Sequence, residues 1–162
     1  VTLLKWQWQM DLLWLWVGGA LGFMVVQLDR LVYVYYLFPH EQLSQQVQYL
    51  VAKRQLQQAM VLIHQRRGEQ QKLVFRSAIL ALAWVAIAVF AVTSTGSLFA
   101  GGVVMGLGLH LLYDFWRDQR ANPQLLNQKL FWQVKRAVGL EEQKWFLYGL
   151  TAVFIALTVM LI

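Results

Sequence analysis

In the stretch Gly108-Leu-His-Leu-Leu-Tyr-Asp-Phe-Trp-Arg-Asp-Gln-Arg120, an apolar run receives His110 and Asp114 before it breaks into charge. Residues four apart on a helix are stacked neighbours, so an imidazole and a carboxylate would share one face. Asp29 and Arg30 interrupt an earlier apolar run, and Arg76 stands at the mouth of another. A carboxylate in hydrocarbon costs several kcal/mol unless it is paired, neutralised or hydrated, which makes it a candidate functional group with a partner. Three chemistries fit these residue types. Asp29, His110 and Asp114 could ligate a divalent cation such as zinc or manganese, with Asp118 or His40 as a fourth donor. Alternatively, Arg30, Arg76 and Arg117 could neutralise the carboxylates with no ion present, and this is the expectation carried forward. A proton or ion pathway through Asp29 and His110 would call for a second polar span, which the sequence lacks.

The elements that must position these groups are membrane helices. The chain of 162 residues is 59% hydrophobic with a mean hydropathy of +0.47, too apolar for an ordinary soluble domain. Four stretches are long enough to cross a bilayer, which takes about 20 helical residues: Leu12 to Phe38, Leu73 to Val92, Leu98 to Trp116 and Trp145 to Ile162. A cleaved signal peptide fits poorly, since no basic segment precedes the first run and no small-residue cleavage site follows it. The absence of cysteine excludes disulfides, thiolate ligands and cysteine nucleophiles.

Charge placement sets the expected orientation. Lys53, Arg54, Arg66, Arg67, Lys72 and Arg76 separate the first two spans, and Arg117, Arg120, Lys129, Lys135, Arg136 and Lys144 separate the last two. The connection Thr93-Ser-Thr-Gly-Ser97 is uncharged, and Lys5 alone argues the other way. By the positive-inside rule both basic connections are cytoplasmic, and both termini lie outside a bacterial-type inner membrane. The net charge of +6 borders apolar spans, so anionic lipid headgroups are the expected partners and nucleic acid is not. A protein partner or a second copy of the chain is also compatible with this pattern.

The basic connections carry helical stripes. Leu43, Val47, Leu50, Val51, Met60, Leu62 and Ile63 predict an amphipathic segment over about 39–65, with Pro39 suited to a first turn. Asn122 as cap, Pro123 in the first turn and Leu126, Leu130, Val134 and Val138 predict a second, over about 122–139, ending at Gly139. Both read as helices lying on the membrane or packing against the bundle. The fold class expected is thus all-α and polytopic, with four transmembrane helices and two amphipathic cytoplasmic helices in a single domain, 1–162.

Glycine spacing predicts how the spans meet. Gly18 and Gly22, and Gly102 and Gly106, repeat at the four-residue interval that lets helix backbones approach closely. Ala78, Ala81, Ala83, Ala86, Ala88 and Ala91 stipple the second span. Trp6, Trp8, Trp14 and Trp16 suit one aromatic belt, and Trp116, Trp132 and Trp145 the other. The glycine-rich run Gly101 to Gly108 lies inside a span and lacks a following Lys-Ser or Lys-Thr, so it is no phosphate loop. Ser94 and Ser97 lie far from every histidine in this topology, Ser77 is nearer the acidic cluster but stands beside an arginine, where a local hydrogen bond is expected over attack on a substrate, and His64 reads as a surface histidine.

The order Gln27-Leu-Asp-Arg30, Phe75-Arg-Ser77 and His110-Leu-Leu-Tyr-Asp114 resembles the LexA-regulated, membrane-bound metal-dependent hydrolases. That resemblance implies a small helical bundle with a metal-dependent hydrolase site acting on a lipid-linked or phosphorylated substrate at the cytoplasmic interface. The family pattern would carry histidines where this chain has Arg30 and Arg76, and a guanidinium keeps its proton and cannot ligate a metal. The stretches "LDRLVYVYYLFPHE" and "VTSTGSLFAGG" also resemble multi-span proteins of small-genome bacteria, a likeness that supplies no activity. The residues thus favour a structural, accessory-subunit or interaction role over hydrolysis, and no cofactor over a bound metal.

Overall fold

The computed structural model describes residues 10–66, 74, 76–94 and 96–161. Lys5, Trp6, Trp8, Arg67, Lys72, Leu73, Phe75, Thr95 and Ile162 lie outside the described residues. Every regular element among the described residues is helical. In order they are α1 (Met10–Val32), a π-helical stretch (Tyr33–Leu37), α2 (Gln42–Ala52), α3 (Leu56–Gln65), α4 (Ala78–Ser94), α5 (Leu98–Ala121), α6 (Pro123–Phe131) and α7 (Leu140–Leu161). Among the described residues three segments are long and apolar enough to cross a membrane: Leu12–Leu37, Leu98–Ala121 and Leu140–Leu161. The fourth apolar helix, α4, is 17 residues long. The chain divides into two compact units, Val1–Val26 with Phe75–Ile162, and Gln27–Val74.

In the first unit α5 packs against α4, α6 and α7. Its N-terminus is set by Ser97, whose hydroxyl accepts from the Ala100 amide, one of the donors a helix start leaves orphaned. Gly96, at φ +58°, turns the chain between α4 and α5. Facing residues fix helix directions. Gly101 meets Leu161, Trp116 donates to Thr151 and Gln143 donates to Gln119, so α5 and α7 run antiparallel. Gly18 meets Phe99, Gly22 meets Val103 and the Phe23 ring meets His110, so α1 and α5 run parallel.

The α1–α5 crossing is a backbone contact. A Cβ added to Gly18 would strike the Phe99 carbonyl, one on Gly22 the Val103 carbonyl, one on Gly102 the Leu15 carbonyl and one on Gly106 the Gly19 carbonyl. Lipid tails are as apolar as the helices, so association here draws on van der Waals contact, which small residues maximise.

Helix α4 turns Ala78, Ala81, Ala88 and Ala91 with Trp84 into the core and exposes Ala83 and Ala86. The Trp84 indole donates to the Val104 carbonyl (2.7 Å) and lies over Gly108, where any side chain would collide with its ring. That contact accounts for a glycine that the four-residue spacing leaves out.

In the second unit the expected helix over 39–65 is two helices. The chain reverses at Lys53-Arg54-Gln55, with Arg54 at φ +59°. The physical reason is burial: folding back brings Leu43 and Val47 of α2 against Ala59 and Ile63 of α3, closed by Tyr33 and Val34. The second amphipathic segment also stops short of Gly139. Asn122 caps α6 through the Leu125 amide (3.1 Å) and Pro123 fills the first turn, but the helix ends at Phe131. Leu126 and Leu130 are buried, Val134 is not, and Asn127 bonds back to the Val138 carbonyl (3.1 Å), so the last apolar positions have no core to extend a helix along.

Candidate functional site: a buried ladder of charges

The last turns of α5 carry His110, Asp114, Arg117 and Asp118, and the first unit adds Arg76 and Lys129. Asp114 is 3% exposed and stands at the centre. Arg76, just ahead of α4, pairs with its Oδ2 through a guanidinium nitrogen. His110 Nε2 lies 3.4 Å from the same oxygen, and Arg117 holds the other, Oδ1, at 2.9 Å. Arg117 also reaches Asp118 at 3.4 Å, and Lys129 of α6 closes on Asp118 at 3.5 Å. Signs alternate along the series Arg76, Asp114, Arg117, Asp118, Lys129, so each carboxylate lies between two cations. The series ties the start of α4 and the body of α6 to α5.

Local structure explains why these atoms meet. His110, Asp114 and Arg117 follow at i, i+4 and i+7, one face of α5. Arg76 reaches that face because a short turn makes α4 and α5 neighbours, placing the start of α4 beside the end of α5. The Ser77 hydroxyl accepts from the Leu80 amide (3.3 Å), a local bond that caps α4 and fixes the residue next to Arg76. The Phe23 ring of α1 packs on the His110 imidazole with centroids 4.3 Å apart, shielding it. The Arg117 guanidinium lies 5.7 Å from the Tyr113 ring centre.

Asp29 is fully buried and Arg30 half-buried, and both belong to the unit Gln27–Val74. Ser94 and Ser97 lie exposed at the opposite end of α4 and α5 from Asp114, and His40 and His64 are exposed in the second unit. Trp14, Trp16 and Trp145 are exposed, as a belt requires, whereas the half-buried Trp116 donates to Thr151 Oγ1 (3.1 Å).

One member of the ladder and one neighbouring buried contact escape a reading of the sequence. Lys129 counts there only as a loop cation, yet it is 7% exposed and faces Asp118 across the α5–α6 turn. Gln143, fully buried at the start of α7, donates to Gln119 on α5. No periodicity links either to its partner, since both contacts depend on how a turn folds.

Chemically, the ladder presents little for catalysis. Each oxygen of Asp114 is ion-paired with a guanidinium group, which carries only N–H donors and offers no lone pair to a metal or a proton. Among the described residues no three His, Asp or Glu side chains gather into a set that could hold a metal ion. A divalent cation beside Asp114 would meet two arginines, so the donor chemistry here does not fit one. No family model, no curated protein and no solved structure matches this chain.

Proposed function

We propose that this chain is a non-catalytic protein of a bacterial-type inner membrane, a structural component or accessory subunit in which the charge ladder locks three helices together. The observation that carries the reading is the occupation of both Asp114 oxygens by Arg76 and Arg117. A buried carboxylate enclosed in this way is a poor base, nucleophile or ligand, but a strong register mark. The Arg76–Asp114 pair forms only when the start of α4 sits correctly against α5, and the Lys129–Asp118 pair only when α6 does, which is how a buried ionic group favours one arrangement of helices over its alternatives.

Four spans with both termini outside is the topology proposed. Helix direction supports it. With Leu12–Leu37 and Leu98–Ala121 both crossing the bilayer, the parallel run of α1 and α5 calls for a crossing between Leu37 and Leu98, and α4 is the apolar helix that would supply it. Its 17 residues lie at the short end of what spans a bilayer. The basic α2–α3 and α6 segments then share the cytoplasmic side.

Elemental analysis of the purified protein tests this reading. The expected result is no stoichiometric metal and an unfolding midpoint unmoved by chelator. One equivalent of zinc or manganese, lost on His110→Ala together with stability, would establish a metal centre, overturn the metal-free ladder and promote the hydrolase reading.

A further inference from the structure

The α2–α3 hairpin is fastened to the end of the first apolar span. Tyr33 donates its hydroxyl to Glu41 Oε2 (2.6 Å), and Gln48 donates to the Val34 carbonyl within the π-helical stretch (2.9 Å). Tyr33 and Val34 pack into the same core as Leu43, Val47, Ala59 and Ile63. Arg66 donates to Gln46 (2.9 Å) and closes the open end of the hairpin. Only residues 38–41 separate the span, which ends at Leu37, from α2, a reach of about 14 Å at full extension. Tyr35 and Tyr36 are exposed at that span end, the position of an interfacial aromatic belt. The hairpin is therefore held at headgroup level.

Its outer surface suits that level. Tyr49, Leu56 and Met60 are 58%, 59% and 70% exposed around the turn that carries Lys53 and Arg54. The Lys53 ammonium lies 4.4 Å from the centre of the Tyr49 ring, an arrangement in which the cation stays accessible above an apolar base. From Gln42 to Arg66 the chain has Lys53, Arg54 and Arg66 and no acidic residue. Apolar side chains flanked by the two cations of the turn and fixed beside a span match an anionic bilayer surface in both geometry and sign.

We propose that the α2–α3 turn is an anionic-lipid docking surface, with Leu56 and Met60 entering the interface and Lys53 and Arg54 binding lipid phosphate. The proposal rests on Leu12–Leu37 crossing the membrane and not on the charge ladder, so the two stand or fall separately. The native chain has no cysteine, so Met60→Cys gives a single labelling site at an exposed position. The full-length protein, carrying an environment-sensitive fluorophore there, is reconstituted into nanodiscs of phosphatidylcholine alone or with added phosphatidylglycerol. The emission should shift to the blue, and a lipid-borne quencher should reach the label, only in the anionic discs. Lys53→Gln with Arg54→Gln should lower the ratio of lipid-contacting to water-exposed label about 25-fold, at about fivefold per cation, with helicity unchanged by circular dichroism. Equal burial in neutral discs, or a label exposed in both, would overturn the proposal. Burial that requires two copies per disc would assign the surface to self-association and overturn it as well.

Discussion

Asp114 is tolerable near the end of an apolar helix because three cationic or cation-capable groups surround it, and they are not equivalent. The Arg76 side chain is 9% exposed and that of Arg117 32%, so solvent screens the second pair far more than the first. Arg117→Met should cost roughly 1 kcal/mol or less, within the range of part-exposed pairs, whereas Arg76→Met should cost several times more. Denaturation midpoints of the two variants in the same detergent check this ordering, and equal losses would contradict it. The His110–Asp114 neighbourhood is legible in the sequence, because spacing by four on a helix dictates it. Lys129 is not legible, because its place beside Asp118 depends on a turn at Asn122 whose direction no pattern encodes.

At the level of the helix, the α1–α5 crossing separates glycines that need to be glycine from those that do not. A methyl at Gly106 strikes the Gly19 backbone, which moves only if α1 moves, while one at Gly101 meets the end of the flexible Leu161 side chain at 2.8 Å. Gly106→Ala should lower stability by about 1–3 kcal/mol, the overpacking range. Gly101→Ala should be nearly neutral, since Leu161 can turn aside and alanine is the better helix former by about 1 kcal/mol. Similar losses at both sites would remove the close crossing as their cause. The spacing of Gly18 with Gly22 and of Gly102 with Gly106 stands in the sequence, but the pairing of one set with the other does not. The break between α2 and α3 is hidden for a related reason. Lys53-Arg54-Gln55 contains neither glycine nor proline, and Arg54 takes a left-handed conformation because burying two stripes together offsets its local cost.

Across the whole molecule, apolar length and charge placement carry most of what the sequence conveys. The helical elements and the three membrane-length helices among the described residues follow from them directly, while a crossing by the short α4 is argued from the direction of α1 relative to α5. The four-span topology predicts that single cysteines at Gln57 and Gln128 react with an impermeant reagent only from the cytoplasm, and one at Ser94 only from outside. Labelling of Gln57 and Gln128 from opposite faces would break it. The central claim is that the bundle is held by paired charges around Asp114, and a thermodynamic cycle on Arg76 and Asp114 tests it most directly. Arg76→Met alone should destabilise the protein by about 3–5 kcal/mol, because it leaves a buried carboxylate short of its deepest partner. Adding Asp114→Leu should recover a large part of that loss, since a matched apolar replacement removes the stranded charge. Strictly additive losses in the double variant would show that the two groups are not coupled and would contradict the account.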